Sequence, residues 1–230
     1  MEKAREIVNK ALSLKRPLLE PEAKALINSI GITTPSFDIA NDSEEAVEIA
    51  KSIGYPVVLK VISPDIIHKT DVGGIILGAK NEKQVRRDYS KIIENIKRKI
   101  PEAKIEGVLI ERLATPSLEV IIGGLRDSQF GPTIMLGLGG IFTEILKDLS
   151  FRLTPVTKGE TFGMMEELKG CPLLNGYRGS KPLDKESLSD AMVSISNLMT
   201  EVEEIKEIDL NPVFLYPKGL TAVDARVILG

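Results

Sequence analysis

The sequence predicts an α/β protein of two lobes, and three observations carry that expectation. Hydrophobic periodicity switches repeatedly along the chain between helical spacing and short β-branched runs. The switches come in alternation, helix then strand, rather than as a block of each. No repeat or low-complexity tract interrupts them, and 230 residues suffice for a core without disulfide or metal support.

Taken in order, Glu2 to Leu14 reads as a helical lead, within a helical preamble that runs to about residue 30. Ala46, Val47, Ile49, Ala50 and Ile53 share a helix face, with Asp42 or Ser43 as cap and Gly54 as stop. Val57-Val58-Leu59-Lys60-Val61-Ile62 follows as a strand, and Gly74 to Leu77 as another. Val85, Tyr89, Ile92, Ile93, Ile96 and Ile100 mark a long helix opening near Asn81 and ending at Pro101. Residues 105–110, 118–122 and 133–136 read as strands. Leu188, Ala191, Met192, Ile195, Leu198 and Met199 form a helix face, and residues 207–215 and 221–228 are the last strands. The lobes are expected to meet near residues 111–118, giving a lead at 1–18, a first lobe at 19–110 and a second at 111–230.

Composition narrows the function classes. Thirty basic and 33 acidic side chains give a formal net charge of −3, so no basic excess is available to neutralise a nucleic-acid backbone. No apolar run reaches the roughly 20 residues of a membrane span. Residues 1–10 carry charges of both signs and no apolar core of a secretory signal. A single cysteine, Cys171, forms no internal bridge and fits a reducing compartment, so a cytoplasmic protein is expected.

Several residues stand out chemically. Lys60 sits inside a β-branched strand, where an ammonium either snorkels outward or meets an anion. Gly137-Leu138-Gly139-Gly140 follows an apolar strand and precedes Ile141-Phe142-Thr143-Glu144; a tight turn and a loop that lets amides approach phosphate both fit. It matches neither Gly-x-Gly-x-x-Gly nor the Gly-Lys-Ser/Thr pattern. Asp209, Asn211 and Asp224 fall on two strand candidates, where their oxygens suit Mg²⁺, although Asp-x-Asn-Pro is also a common turn. Glu111 and Glu119 stand at strand edges, where a solvated carboxylate is the default. His68, the sole histidine, lies in a polar loop with Asp65, Lys69 and Asp71, before Gly73-Gly74. A lone histidine is usually structural, yet neutral imidazole is also a nucleophile that accepts and passes on a phosphoryl group. One His and one Cys are too few for structural zinc.

In this order, Lys60, the loop His68 to Gly74, Val-Leu-Ile-Glu-Arg at 108–112, Glu119, Gly137 to Gly140, Asp209-Leu-Asn-Pro and Ala222-Val-Asp-Ala resemble an ATP-grasp domain. More narrowly, the chain resembles the nucleotide-binding β subunits of ADP-forming acetyl-CoA synthetases (acetate–CoA ligases), relatives of succinyl-CoA synthetase. The likeness runs from about Leu19 to Leu229. Its most specific pieces are the His68 loop, Asp127-Ser-Gln-Phe-Gly-Pro132 and Leu174-Asn-Gly-Tyr-Arg-Gly179.

The resemblance implies an ATP-grasp fold with a nucleotide held between two α/β lobes. It assigns nucleotide phosphates to Lys60, with Ile67, His68, Lys69 and Gly73 in the loop above them. It assigns the adenine edge to backbone groups of Glu111 and Leu113, the ribose to Glu119, Mg²⁺ to Asn211 and Asp224, and orientation of a phosphohistidine to Asp209. It makes His68 a second phosphorylatable histidine. It also implies a CoA-binding α subunit carrying the first such histidine, paired heterodimers (α2β2), ATP/ADP and Mg²⁺ as cofactors, and conversion of acetyl-CoA, ADP and phosphate to acetate, ATP and CoA. Many relatives carry both halves on one polypeptide, whereas this chain matches the nucleotide half. The lead helix reads equally as an arm for a partner or as a solvated amphipathic helix. Arg178 reads as a partner contact, an anion contact or a plain surface arginine. Two other functions stay open: a self-contained ATP-grasp carboxylate ligase without a phosphohistidine, which His68 argues against, and a nucleotide-binding regulatory module, which the intact Asn211 and Asp224 argue against.

Overall fold

The computed structural model describes residues 1–66, 68–140 and 147–230. They divide into two compact units, residues 35–115 and residues 1–34 with 116–230.

In the smaller unit the sheet order is β1-β4-β2-β3, formed by Phe37–Ala40, Gly107–Arg112, Val57–Ile62 and Ile75–Ala79. Helices α3 (Ser43–Ile53) and α4 (Glu82–Lys99) begin where the sequence places caps. Asp42 accepts from the amides of Glu44 and Glu45, and Asn81 accepts from that of Gln84. Each such cap contributes about 1 kcal/mol by satisfying amides that the first turn leaves without partners. Ala46, Val47 and Ala50 of α3 and Val85, Ile92 and Ile96 of α4 bury against Val57, Leu59, Val61, Val108 and Ile110. The period of two then turns Val58, Lys60, Leu109 and Glu111 to the opposite face.

The larger unit carries a six-stranded sheet in the order β10-β8-β5-β6-β7, with β9 on β8. Its strands are Leu118–Asp127 (β5), Gly131–Leu138 (β6), Leu149–Leu153 (β7), Ile205–Leu215 (β8), Leu220–Ala222 (β9) and Arg226–Leu229 (β10). One face packs on helices: Val120, Ile122, Ile134, Leu136, Ile208 and Leu210 share a core with Leu188, Met192, Ile195 and Met199 of the long helix Lys185–Glu201. Burying each of these side chains contributes about 1.5–3 kcal/mol. The other face presents Glu119, Ile121, Gly123 and Leu125 beside Met135, Phe151 and Asp209 in the paired strands.

Every strand pairing among the described residues is antiparallel. Two expectations change. The lead helix α1 (Glu2–Ser13) is neither a solvated helix nor a free arm. Ala4, Val8 and Ala11 are buried with Ala23, Leu26 and Ile27 of α2 (Glu20–Ser29) in the larger unit's core. Residues 19–34, expected in the first lobe, therefore belong with the second. Strands β1 and β7 and helices Lys158–Glu167 (α5) and Cys171–Leu174 (α6) add to the predicted elements, which makes Lys185–Glu201 helix α7. Alternation in Leu149-Ser-Phe-Arg-Leu153 marks the missed strand β7. The capping box Thr157/Glu160 marks the start of α5.

Candidate functional site

In the smaller unit, Lys60 is 5% exposed and its Nζ lies 3.4 Å from Oε1 of Glu111, itself 1% exposed. The register explains the meeting: Val58 pairs with Glu111 and Lys60 with Leu109, so lysine and glutamate are diagonal neighbours on one face. Lys60 therefore meets an anion rather than snorkelling, and Glu111 is not the solvated strand-edge carboxylate of the default reading. The Leu113 amide donates to the Pro56 carbonyl at 3.0 Å, so a purine edge using that donor would compete with the existing bond.

The loop between β2 and β3 is fastened at both ends. On the entry side Asp65 accepts from the Lys104 amide at 2.8 Å, and Ile66 is buried in the core. On the exit side Asn95 donates to the Gly73 carbonyl, Lys99 to the Asp71 carbonyl, and the Gly74 amide to the Lys69 carbonyl. Gly73 has φ +70°, and a Cβ there would lie 2.7 Å from Nδ2 of Asn95, so glycine is required. Between these fastenings His68 is exposed and Lys69 half-buried. Ile67 lies outside the described residues.

In the larger unit, Glu119 and the glycine stretch meet. The Gly139 amide donates to the Glu119 carbonyl at 2.7 Å, extending the β5–β6 ladder. The glycine stretch is thus part of a strand end; residues 141–144 lie outside the described residues. Glu119 itself is exposed.

Asp209 lies on the outer face of β8, opposite Gly123 on one side and Arg226 on the other. The β8 register shifts against β5 between Leu210 and Val213, a bulge that carries Asn211. The Val223 amide donates to the Pro212 carbonyl, which holds Asp224 close to that bulge. Burial pushes the Asp209 carboxyl above its ordinary range, helped by the charges of Glu207 and Asp224 and opposed by Arg226. Glu207 and Arg226 were not anticipated, although the alternation Glu207-x-Asp209-x-Asn211 was readable in the sequence.

Among the described residues no group of three or more His, Cys, Asp or Glu side chains is placed to hold a metal alone. The Asn211 amide and Asp224 carboxylate offer hard oxygen donors where negative charge already accumulates. That fits Mg²⁺, which takes one or two carboxylates and completes its shell with water and substrate phosphate.

Comparison with known proteins decides the family. The family model described as ATP-grasp domain matches residues 10–229. The chain belongs to the ATP-grasp family. Within it, the chain is 49% identical to the β subunit of acetate–CoA ligase [ADP-forming] I from Pyrococcus furiosus, over 99% of this chain and 98% of that one. It is 42% identical to acetate–CoA ligase [ADP-forming] I from Archaeoglobus fulgidus, where it spans 100% of itself but 33% of the longer relative. The "dinucleotide forming" acetyl-coenzyme A synthetase 1 of Ca. Korarchaeum cryptofilum, in complex with coenzyme A, Ca-AMPCP and HgCl+, superimposes with a TM-score of 0.95 at 48% identity, covering 99% of this ATP-grasp chain and 100% of that one. A form with coenzyme A and Mg-AMPPCP, its phosphohistidine segment pointing towards the nucleotide binding site, gives 0.87 at 44%, covering 99% and 100%. No helix among the described residues is long and apolar enough to cross a membrane.

Proposed function

We propose that the chain is the nucleotide-binding subunit of an ADP-forming acyl-CoA synthetase, active with a CoA-binding α subunit, as an α2β2 assembly in the cytoplasm. It moves a phosphoryl group between phosphohistidine and ADP in the conversion of acetyl-CoA, ADP and phosphate to acetate, ATP and CoA. The observation that carries this reading is the grouping of Asp209 and Asn211 on β8 with Asp224 near enough to act on the Asp209 carboxyl, in a chain 49% identical to a separate β subunit over 99% of its length.

In this reading Lys60 holds nucleotide phosphate oxygens, with Ile67, Lys69 and Gly73 in the loop above them. Glu111 and Leu113 meet the adenine edge and Glu119 the ribose hydroxyls. Asn211 and Asp224 hold Mg²⁺, which neutralises charge on the moving group when bound. Asp209 accepts a hydrogen bond from the imidazole that carries the phosphoryl group. The phosphorus–nitrogen bond breaks as a bond forms from phosphorus to a β-phosphate oxygen of ADP, and placement and charge supply most of the catalysis. His68, exposed on a loop fastened at both ends, is the imidazole of this chain that relays the group.

The test uses the purified chain with labelled ATP and Mg²⁺, with and without its CoA-binding partner. Acid-labile, base-stable label on His68 that chases onto ADP is expected, and it disappears in His68→Asn. Turnover of an amine acceptor by the isolated chain, without histidine labelling, would overturn the reading in favour of a self-contained ligase.

A further inference from the structure

The motif Asp127-Ser-Gln-Phe-Gly-Pro132 has no part in the roles above. It forms the turn between β5 and β6, and Oδ1 of Asp127 accepts from the amides of Gln129 and Phe130 at 2.8 and 2.9 Å. Those two bonds hold the Asp127 carboxyl below its ordinary range, Phe130 contributing most. The turn is thereby fixed, and it displays Phe130 with 69% of its surface in water.

Phe130 stands over a groove of about 490 Å³ on the outer face of the larger unit's sheet. Ile121, Met135 and Phe151 line it, with Gly123 in its floor, and it runs to Asp209 and Asn211. Leu125 is 52% exposed, Phe151 56% and the neighbouring Leu153 56%. Four large apolar side chains so exposed on one sheet face and its turn mark an interaction surface rather than the scattered apolar exposure of an ordinary monomer. The lining contains no Lys or Arg but three carboxylates, Asp127, Glu207 and Asp209, so it favours basic side chains on whatever occupies it. Its complement is an apolar segment flanked by basic side chains.

We infer that this groove is the seat of the CoA-binding partner chain, which inserts such a segment beside Phe130 and Phe151. The inference rests on the functional reading above. In the longer Archaeoglobus relative these residues are a third of one polypeptide, so the rest of that enzyme is held covalently. A separate chain must be held by surface alone, which takes roughly 1,200–2,000 Å² of buried area around a few aromatic anchors. The groove supplies the anchors and leads to the residues that receive the partner's phosphohistidine.

The test compares wild type with Phe130→Ala and with Phe130→Ala/Phe151→Ala, measuring affinity for the purified partner chain by calorimetry and nucleotide affinity of the chain alone. The double variant is expected to weaken partner affinity at least roughly thirty-fold, with nucleotide affinity unchanged. Equal partner affinity in wild type and double variant would overturn this surface while leaving the function intact. A concentration-dependent dimer of the isolated chain that Phe130→Ala abolishes would reassign the groove to a second copy and overturn it too. If wild type binds no CoA-binding chain at all, the functional reading fails and the inference with it.

Discussion

The backbone of Gly139 lies against Glu119 so closely that a Cβ on the glycine would stand 2.6 Å from the Cβ of the glutamate. The backbone that carries the candidate ribose carboxylate is therefore packed directly against the glycine stretch.

Gly139→Ala tests that contact. Overpacking of this kind costs about 1–3 kcal/mol, and here the nearest atoms are the Cβ and backbone of a strand that cannot yield cheaply. The expected result is a folded protein whose nucleotide Kd rises about tenfold or more, measured by calorimetry with ADP and Mg²⁺. An unchanged Kd would remove Glu119 from the nucleotide site.

The buried Lys60 and Glu111 pair makes a two-step prediction. Glu111→Gln takes the anion from a buried ammonium and should cost about 3 kcal/mol in a urea titration. Lys60→Met/Glu111→Leu should recover most of that stability, because an apolar pair avoids the desolvation of both charges. The double variant should nevertheless bind no nucleotide, because it lacks the lysine that holds the phosphates. Binding by the double variant would show that the lysine serves the fold alone.

Asp209 and Asp224 should separate by phenotype. Asp209→Asn is expected to slow phosphoryl transfer about 10²-fold or more while nucleotide and Mg²⁺ affinities stay at wild-type values. Asp224→Asn should instead raise the Mg²⁺ concentration needed for half-maximal nucleotide binding. Titrations at several metal concentrations distinguish the two, and identical profiles would contradict the division of roles.

The bonds that Glu167 accepts from Arg152, and then from Ser150, hold its carboxyl down to about 2. A depressed carboxyl adds stability above its unfolded value near 4.5 and loses it as pH falls toward 2. The stability gap between wild type and Glu167→Gln should accordingly be widest above pH 4.5 and narrow toward pH 2. Denaturation midpoints across that range check this, and a constant gap would show that the contact does not act through charge.

Helices α3 and α4 were readable because periodicity, caps and stops agree locally, and α7 from its periodicity. Asp42, Asn81 and Gly54 do in the structure what their residue types suggest. The pairing of strands was not readable, because register is a long-range property. Nothing near Lys60 announces that Glu111 will be its partner until β2 lies against β4. The placement of α1 and α2 in the larger unit's core failed to show for the same reason, since an amphipathic stripe does not say what it covers. On β8 the candidate residues were legible individually; the charges of Glu207 and Arg226 beside Asp209 required only the alternation to be followed one step further.

Residues 35–115 interrupt the larger unit between α2 and β5, and they begin and end on neighbouring strands, with the Arg112 amide bonded to the Ser36 carbonyl at 2.9 Å. An insert whose two ends emerge side by side can be excised as a miniature protein with its own sheet, helices and apolar interior. The imidazole and the buried ammonium would leave together in that fragment, and Asp209, Asn211 and Asp224 would stay behind. Recombining the two pieces in a tube would then put the chemistry of the halves under separate experimental control.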